Sequence, residues 1–317
     1  MKDFSSFLSI QMKEFIHYRM AAGNWNGSYE ENLRLFDTYL AETYPGSHML
    51  SQDMADSWCT KRDTETNNSC RSRIYAVVSF LKYLKKRNGT DIGIPGVPRK
   101  EKRTHIPHAF TDSELAAFFH ECDSLPAYHN SLPNKLHKII IPVFFRLLFS
   151  SGMRTTEVRL LKRNDVNLDN GIINIQNSKG DDRHYVVLHD SMTELMCKYD
   201  TAVDRLIPGR TCFFPSMYDK PHPRGWVIRN FNTLWNRVNN SGATAYELRH
   251  NYAVHNINRW TDTGFVFHDK LLYLSRSMGH RTVEETKRYF SIVPALSEIL
   301  SEKTGDSMDE IIPEVYG

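Results

Sequence analysis

The hydrophobic positions of the first 97 residues recur at the spacing that places them on one face of a helix. The first such stretch contains Phe4, Phe7, Leu8, Met12, Phe15 and Ile16. A second helix is predicted to begin at Ser28-Tyr29-Glu30-Glu31, which has the spacing of a capping box, and to stop at Pro45-Gly46. Further helices are predicted over about residues 52–61 and 67–87. The pattern therefore predicts a helical domain over residues 1–97.

Residues 98–109 break the periodic pattern. They are rich in proline and in basic residues, and the segment just before them is rich in glycine. Such a composition is typical of a linker between globular parts. We therefore predict a basic linker over residues 98–109 and a second domain over residues 110–294.

The second domain is predicted to begin with helices. Thr111-Asp112-Ser113-Glu114 has the pattern of a helix N-cap. The run from His137 to Ser150 is strongly apolar but too short to span a bilayer, so it is predicted to be a buried helix. Ser151-Gly152 ends this run, and a new helix is predicted around Arg154.

Three short strand signals follow. Residues 166–168 and 172–175 are predicted to form a hairpin around Asp169-Asn170-Gly171, and a turn at Lys179-Gly180 leads to a third strand at 184–188. Further helices are predicted near residues 191–206, 224–239, 244–259, 269–278 and 282–289. The predicted fold class is mainly α with a small antiparallel β meander (α+β).

Composition and charge narrow the classes of function. The chain has 317 residues, of which 40% are hydrophobic, with no run of about twenty apolar residues that would predict a membrane span. Five scattered cysteines without a CxxC pair indicate neither a disulfide framework nor a zinc knuckle. The net charge of the chain is +3. Residues 298–317 contain six acidic residues and one basic residue, a charge of −5, so residues 1–297 carry a charge of +8. That surplus suits a polyanionic partner.

Basic residues gather on the fourth predicted helix and in the linker. One interpretation is an ordinary solvated face, and the other is a surface that contacts DNA phosphates. Under the second interpretation the DNA-binding residues are Arg71, Arg73, Lys82, Lys85, Lys86, Arg87, Lys100, Lys102 and Arg103.

The candidate chemistry centres on Tyr289. His280 precedes it by nine residues, so a turn and about two helical turns could bring both side chains to one place. A phenol can act as a covalent nucleophile when nearby cations lower the cost of its oxyanion. The candidate cations are Arg154, which Glu157 could hold by an ion pair, Lys179 at the second hairpin, and Arg249.

These residues occur in four motifs. They are SGMRTTEV around Arg154, the hairpin with Lys179, LRHNYAVH after Tyr246, and MGHRTVEETKRYF containing Tyr289. In this order they resemble the tyrosine recombinases of the phage integrase family, and the resemblance covers roughly residues 110–292. It implies a core-binding domain at 1–97, a catalytic domain at 110–294 and a tail at 295–317. The tail is expected to dock on a neighbouring protomer or on its own chain.

The resemblance also implies a reaction. Tyr289 would attack a DNA phosphodiester to form a 3′-phosphotyrosyl link, and strand exchange would pass through a Holliday junction. Arg154 and Arg249 would clamp the phosphate, His280 and Tyr246 would add hydrogen bonds, and Lys179 would be the general acid. The expected partner is double-stranded DNA, bound by a homotetramer on two sites, with no metal or other cofactor. The expected location is the cytoplasm, at the nucleoid, in a prokaryotic or mobile-element setting.

Tyr246 departs from the family pattern, which has histidine or lysine at this position. A tyrosine can donate one hydrogen bond to a phosphate but keeps its proton near pH 7, so it is a poor proton shuttle. His250 is expected to point about 100° away around the helix and is interpreted as structural. The departure leaves open the alternative of a catalytically weakened DNA-binding accessory protein. A type IB topoisomerase-like enzyme, which uses similar residues, is a second alternative.

Overall fold

In a computed structural model the chain forms two compact units, the first of which ends at residue 104. Four helices form this first unit. The structure describes residues 3–23, 25, 27–101, 106–126, 130–176, 183–260, 264–287 and 289. The four helices are α1 (Ser9–Ala21), α2 (Gly27–Thr43), α3 (Gln52–Cys59) and α4 (Asn67–Lys86). The hydroxyl groups of Ser51 and Thr66 cap α3 and α4 by accepting from backbone N–H groups. Each helix turns its apolar face to a shared core that includes Phe15, Phe36 and Phe80.

The described part of the second unit contains helices and a small sheet. The helices are α5 (Asp112–Asp123), α6 (Leu132–Ser151), α7 (Thr155–Leu160), α8 (Asp190–Asp204), α9 (Arg224–Val238), α10 (Glu247–Arg259), α11 (Gly264–Ser277) and α12 (Val283–Lys287). The predicted cap of α5 is a full capping box between Thr111 and Glu114. The most apolar helix, α6, packs against α5, α8 and α10. Its burial confirms the interpretation of the run from His137 to Ser150 as a core helix.

The sheet is an antiparallel meander in the order β1-β2-β3. Its strands are β1 (Val166–Asn167), β2 (Ile172–Ile175) and β3 (His184–Val187). Gly171 takes the left-handed conformation, with φ of 62°, in the turn between the first two strands. Ile173 is paired with Val186 and both are buried, so one face of the sheet joins the main core.

A second, smaller apolar cluster lies between α10 and α11. It contains Ala253, Ile257, Phe267, Leu271, Leu274, Met278 and the ring of Tyr289. The sequence-predicted nucleophile is therefore part of a packed core, and its position depends on how these two helices meet.

The predicted fold class, mainly α with a small antiparallel meander, is confirmed. Two helices begin several residues from where they were predicted to begin. α1 begins at Ser9, after Phe4, Phe7 and Leu8 of the predicted stretch, and α11 begins at Gly264, five residues before the predicted start. Phe265 and Val266 in its first turn are exposed, so this turn lacks the apolar periodicity on which the prediction relied. No helix in the described part of the chain has both the length and the apolar character needed to cross a membrane.

The predicted linker is held at both of its ends. Pro98 accepts a hydrogen bond from Arg71, and Glu101 exchanges backbone hydrogen bonds with the side chain of Asn68 on α4. At the other end the backbone N–H of His108 donates to the buried carboxylate of Glu247. The segment is thus anchored to the first unit through residue 101 and to the second from residue 108.

Candidate active site

Arg154 lies at the N-cap of α7, immediately after the turn that ends α6. Glu157, one turn further on and almost fully buried, accepts from the guanidinium Nη1 at 2.6 Å and from the backbone N of Arg154 at 2.8 Å. The carboxylate of Glu157 therefore caps the first turn of α7 and also holds the side chain of Arg154 in position. The second guanidinium nitrogen, Nη2, donates to the carbonyl of Gly279, 125 residues away in the sequence.

Arg249 is the most buried arginine of the site, with 1% of its surface exposed. Its Nη1 donates to the carbonyl of Gly152 at 2.7 Å, and its Nη2 donates to the carbonyl of Met278 at 2.7 Å. The consecutive carbonyls of Met278 and Gly279 thus each accept from one of the two arginines. This arrangement brings both guanidinium groups to the same turn of the chain.

That turn is the C-terminal cap of α11. The N–H of Gly279 donates to the backbone carbonyl of Arg276, and the N–H of His280 donates to the backbone carbonyl of Ser275. This is the hydrogen-bond pattern of a Schellman motif. Gly279 has the left-handed φ of 65° that such a motif requires. The helix ending therefore determines where His280 enters the site.

His280 is held through both nitrogens of its ring. Nδ1 lies 2.7 Å from the hydroxyl of Thr286, and Nε2 lies 2.8 Å from Nη2 of Arg249. The ring also stacks on the ring of Tyr289, with centroids 5.9 Å apart. His280 consequently connects an arginine of the predicted clamp with the predicted nucleophile.

Tyr289 is 4% exposed and lies between two imidazole rings. His280 stacks on it, and His250 meets it edge to face at 5.0 Å. Burial raises the pKa of the Tyr289 phenol, while the charge of Arg249, a hydrogen bond from it and the charge of Arg154 act in the opposite direction. The phenol therefore stays protonated near neutral pH, and the two arginines reduce the cost of forming its oxyanion.

Tyr246 occupies the edge of the same cluster. It is the N-cap residue of α10 and is 45% exposed, and its ring meets the ring of His250 at 5.3 Å. The expectation that His250 points away from Tyr246 is wrong, because residues four apart on a helix lie on the same side. His250 is instead the ring that separates Tyr246 from Tyr289.

Gly152 and Gly279 allow the close approaches that build the site. A Cβ on Gly152 would lie 2.3 Å from the ring of Tyr252, and a Cβ on Gly279 would lie 2.5 Å from the ring of His184. Both residues have φ near +65°, which is costly for any side chain. Because the carbonyls of both glycines hold the arginines, these two turns cannot shift without moving the clamp.

We expect Gly152→Ala to lower the free energy of unfolding by about 3 kcal/mol, the sum of left-handed strain and overlap with the Tyr252 ring. Thermal unfolding of the full-length protein would measure this. Gly209→Ala is the matched control, because Gly209 has φ of 67° and an added Cβ would meet nothing within 4 Å. It should cost only the strain, about 1–2 kcal/mol. Equal losses for the two variants would contradict the role given to the Tyr252 contact.

The structure brings together the predicted site residues that it describes. Arg154, Tyr246, Arg249, His280 and Tyr289 lie together around one turn of the chain. Lys179 lies outside the described residues. Sequence reasoning did not select Thr286 or assign His250 to the site. The sequence signal for His250 is its helical spacing, four residues after Tyr246. Thr286, six residues after His280, has no such signal.

The predicted DNA-binding residues also divide into groups. Lys82, Lys85, Lys86, Arg87 and Lys100 are exposed, whereas Lys102 and Arg103 lie outside the described residues. Arg71 is half-buried and donates to the carbonyl of Pro98.

Arg73 is a correction to the predicted set. It is buried, and its guanidinium forms an ion pair with Glu65 and donates to the carbonyls of Trp58 and Thr60. The hydrogen bonds from Arg73 hold the pKa of Glu65 down at about 2 despite the opposing effect of burial. All of these partners lie inside the first unit, so Arg73 serves its core and is removed from the DNA-binding set.

The family model described as the phage integrase family matches residues 109–294. With the fold and the tyrosine site described above, this match defines the class of protein as a tyrosine-type site-specific recombinase. The chain belongs to the phage integrase family, which confirms the resemblance found in the sequence.

One relative is similar over most of the chain and another over less than half of it. A protein of Sinorhizobium fredii named integrase/recombinase y4rE is 23% identical over 92% of this chain and 94% of its own length. Tyrosine recombinase XerD of Staphylococcus epidermidis is 28% identical over 45% of this chain and 47% of its own.

Two solved structures share the fold. The Tn1549 transposon integrase in complex with transposon right end DNA covers 95% of this chain and all of its own, at 13% identity and a TM-score of 0.62. A lambda integrase tetramer bound to a Holliday junction covers 89% of this chain and 76% of its own, at 14% identity and a TM-score of 0.60.

Proposed function

We propose that this recombinase cuts and rejoins DNA strands through a 3′-phosphotyrosyl intermediate, with Tyr289 as the nucleophile. The observation that carries the proposal is the position of Tyr289, which is packed against His280 with the charges of Arg249 and Arg154 acting on its phenol. A buried phenol without such cations would be an ordinary core residue. Here the charges of two guanidinium groups lower the pKa of the phenol against the effect of burial, and they would stabilise its oxyanion.

The two arginines suit a phosphodiester transition state. Negative charge grows on the non-bridging oxygens as the Tyr289 oxygen bonds to phosphorus and the 5′ oxygen leaves. Guanidinium groups donate in a planar fork that matches such oxygens. His280 would add a hydrogen bond, and Lys179 would give its proton to the departing oxygen. A 5′-hydroxyl of another strand then reverses the step without an external energy source.

Double-stranded DNA is the proposed partner. The structures with a similar fold include one in complex with DNA and a tetramer on a Holliday junction. By analogy we propose that four copies of this chain act on two DNA sites, with residues 1–97 contacting DNA and the tail at 295–317 docking on a neighbouring protomer. The exposed basic residues of α4 and of the linker would contact the phosphate backbone of the DNA. The proposed location is the cytoplasm, at the nucleoid.

Trapping the covalent intermediate tests this proposal. A binding site is first selected from a random-sequence duplex library with the full-length protein. The site is then built with a nick beside the cleavage position, so that the released fragment diffuses away and the protein stays attached. We expect an adduct that resists denaturation and whose DNA-bearing peptide contains Tyr289. Absence of any adduct on a duplex that the protein binds would contradict the proposal.

Tyr246 favours a second candidate, a recombinase with weakened chemistry that serves mainly as a DNA-binding accessory protein. Its half-exposed ring lies at the edge of the site, one ring removed from the nucleophile. If the departure limits proton transfer, Tyr246→His should speed cleavage by about tenfold, within the range of general acid–base catalysis. Single-turnover cleavage of the nicked duplex measures this, with Tyr273→His on an exposed position as the control. An unchanged rate would mean that the tyrosine is a neutral replacement.

A further inference from the structure

The hydroxyl of Thr286 is the hydrogen-bond partner of the His280 ring on the side away from the arginines. Thr286 is fully buried, and its Oγ1 lies 2.7 Å from Nδ1 of His280. Its backbone carbonyl accepts from the N–H of Tyr289 at 3.0 Å. One threonine therefore contacts both the histidine and the residue predicted to be the nucleophile.

The contacts determine which nitrogen of His280 carries the proton in this DNA-free state. Arg249 has only donors, so Nε2 of His280 must accept from its Nη2 across 2.8 Å. A neutral imidazole with a lone pair on Nε2 carries its hydrogen on Nδ1. The hydroxyl oxygen of Thr286 is then the acceptor of that hydrogen.

The reaction requires the opposite arrangement. A phosphate oxygen offers lone pairs only, so His280 can contact it only by donating from Nε2. In the neutral ring Nδ1 then becomes an acceptor and needs a donor at the same distance. A hydroxyl group can do either, because its hydrogen rotates to suit its partner. Thr286 can therefore hydrogen-bond to Nδ1 both when Nε2 faces Arg249 and when Nε2 faces the phosphate.

We propose that Thr286 is a positioning residue that allows His280 to change tautomer when DNA binds. In the free protein its hydroxyl accepts from Nδ1, and in the DNA complex it donates to Nδ1 while Nε2 donates to the scissile phosphate. Water takes the proton from Nδ1 and returns one to Nε2, because the partly exposed ring of His280 is open to solvent, so the ring stays neutral. The second half of this inference rests on the function proposed above, whereas the first half concerns the free protein alone.

Nitrogen NMR of the protein labelled with ¹⁵N-histidine reads the tautomer directly. The chain has 14 histidines, and the signals of His280 are assigned by their loss in His280→Asn. We expect Nδ1 to be protonated in the free full-length protein and Nε2 to be protonated in the complex of Tyr289→Phe with the selected duplex. A free protein with its proton on Nε2, or a ring protonated on both nitrogens in the complex, would overturn the proposal.

Cleavage measures the contribution of the hydroxyl. Thr286→Val keeps the branched shape but leaves Nδ1 without a hydroxyl partner, and we expect single-turnover cleavage of the nicked duplex to slow by about 10- to 100-fold. Thr286→Ser restores the hydroxyl and should stay within about threefold of the parent rate. Thr201→Val is the matched control, because Thr201 is exposed on α8 and donates only to a carbonyl of its own helix.

The outcomes separate this inference from the proposed function. If the parent protein forms no covalent adduct, the function fails, while the tautomer of the free protein still tests the first half of the inference. If the adduct forms at the parent rate in Thr286→Val, the function stands and the role of Thr286 is wrong. Equal binding of the selected duplex by the valine, serine and parent proteins shows that a slower rate does not arise from misfolding.

Discussion

Replacing Tyr289 by phenylalanine should abolish the covalent DNA adduct while leaving DNA binding unchanged. The substitution removes one oxygen and keeps the ring that packs between His280 and His250. Without the phenol no bond to phosphorus can form, so adduct formation should fall by about 10⁴-fold or more. Denaturing electrophoresis of the protein on the nicked duplex measures the adduct, and a gel-shift titration measures the affinity.

Tyr273→Phe is the matched control for this experiment. Tyr273 lies on α11 with 70% of its surface exposed, outside the cluster that contains Tyr289. It should form the adduct at the parent rate. Adduct formation by Tyr289→Phe would show that another side chain is the nucleophile. Loss of DNA binding by this variant would show that the phenol also stabilises the structure.

Arg249→Lys should have the second largest effect, because the arginine acts on both the chemistry and the fold. The single nitrogen of a lysine cannot occupy the positions of both Nη1, which donates to Gly152, and Nη2, which contacts Met278 and His280. Loss of one preorganised donor at an oxyanion typically slows a reaction by about 10²- to 10³-fold. A buried carbonyl left without its partner costs about 1–3 kcal/mol in addition.

Two measurements separate these effects. Single-turnover cleavage at saturating protein reports the chemistry, and thermal unfolding without DNA reports the stability. Arg259→Lys provides the control, since Arg259 is exposed in the last turn of the same helix. If Arg249→Lys loses stability but cleaves at the parent rate, Arg249 is a structural residue and the clamp must be assigned elsewhere.

The sequence was sufficient to predict the elements that depend on local signals. Caps such as Thr111, the apolar run of α6 and the turn at Gly171 act within a few residues, so their patterns can be read along the chain. The order of Arg154, Arg249, His280 and Tyr289 was also readable, because the motif around each is local. Prediction succeeded where the cause of a structure lies next to it in the sequence.

The remaining features depend on contacts between distant residues. Nothing near Arg73 shows that Glu65 and two carbonyls would take up its guanidinium, so its charge was interpreted as a surface property. The start of α11 was missed for a related reason. Its first turn is exposed, and the spacing of apolar residues indicates a helix only where one face of that helix is buried. The pairing of Met278 and Gly279 with the two arginines likewise follows from the fold and from no local pattern.

The hydrogen bonds that build the site also determine when it can form. Arg154 reaches Gly279 across 125 residues and Arg249 reaches Gly152 across 97, so their closure requires long loops to be ordered. Contacts of such separation form slowly and late in folding. A chain still emerging from the ribosome would hold helices and a core before the turn that binds both arginines exists. The two arginines can therefore take up these positions only after the turn at Met278 and Gly279 has been synthesised.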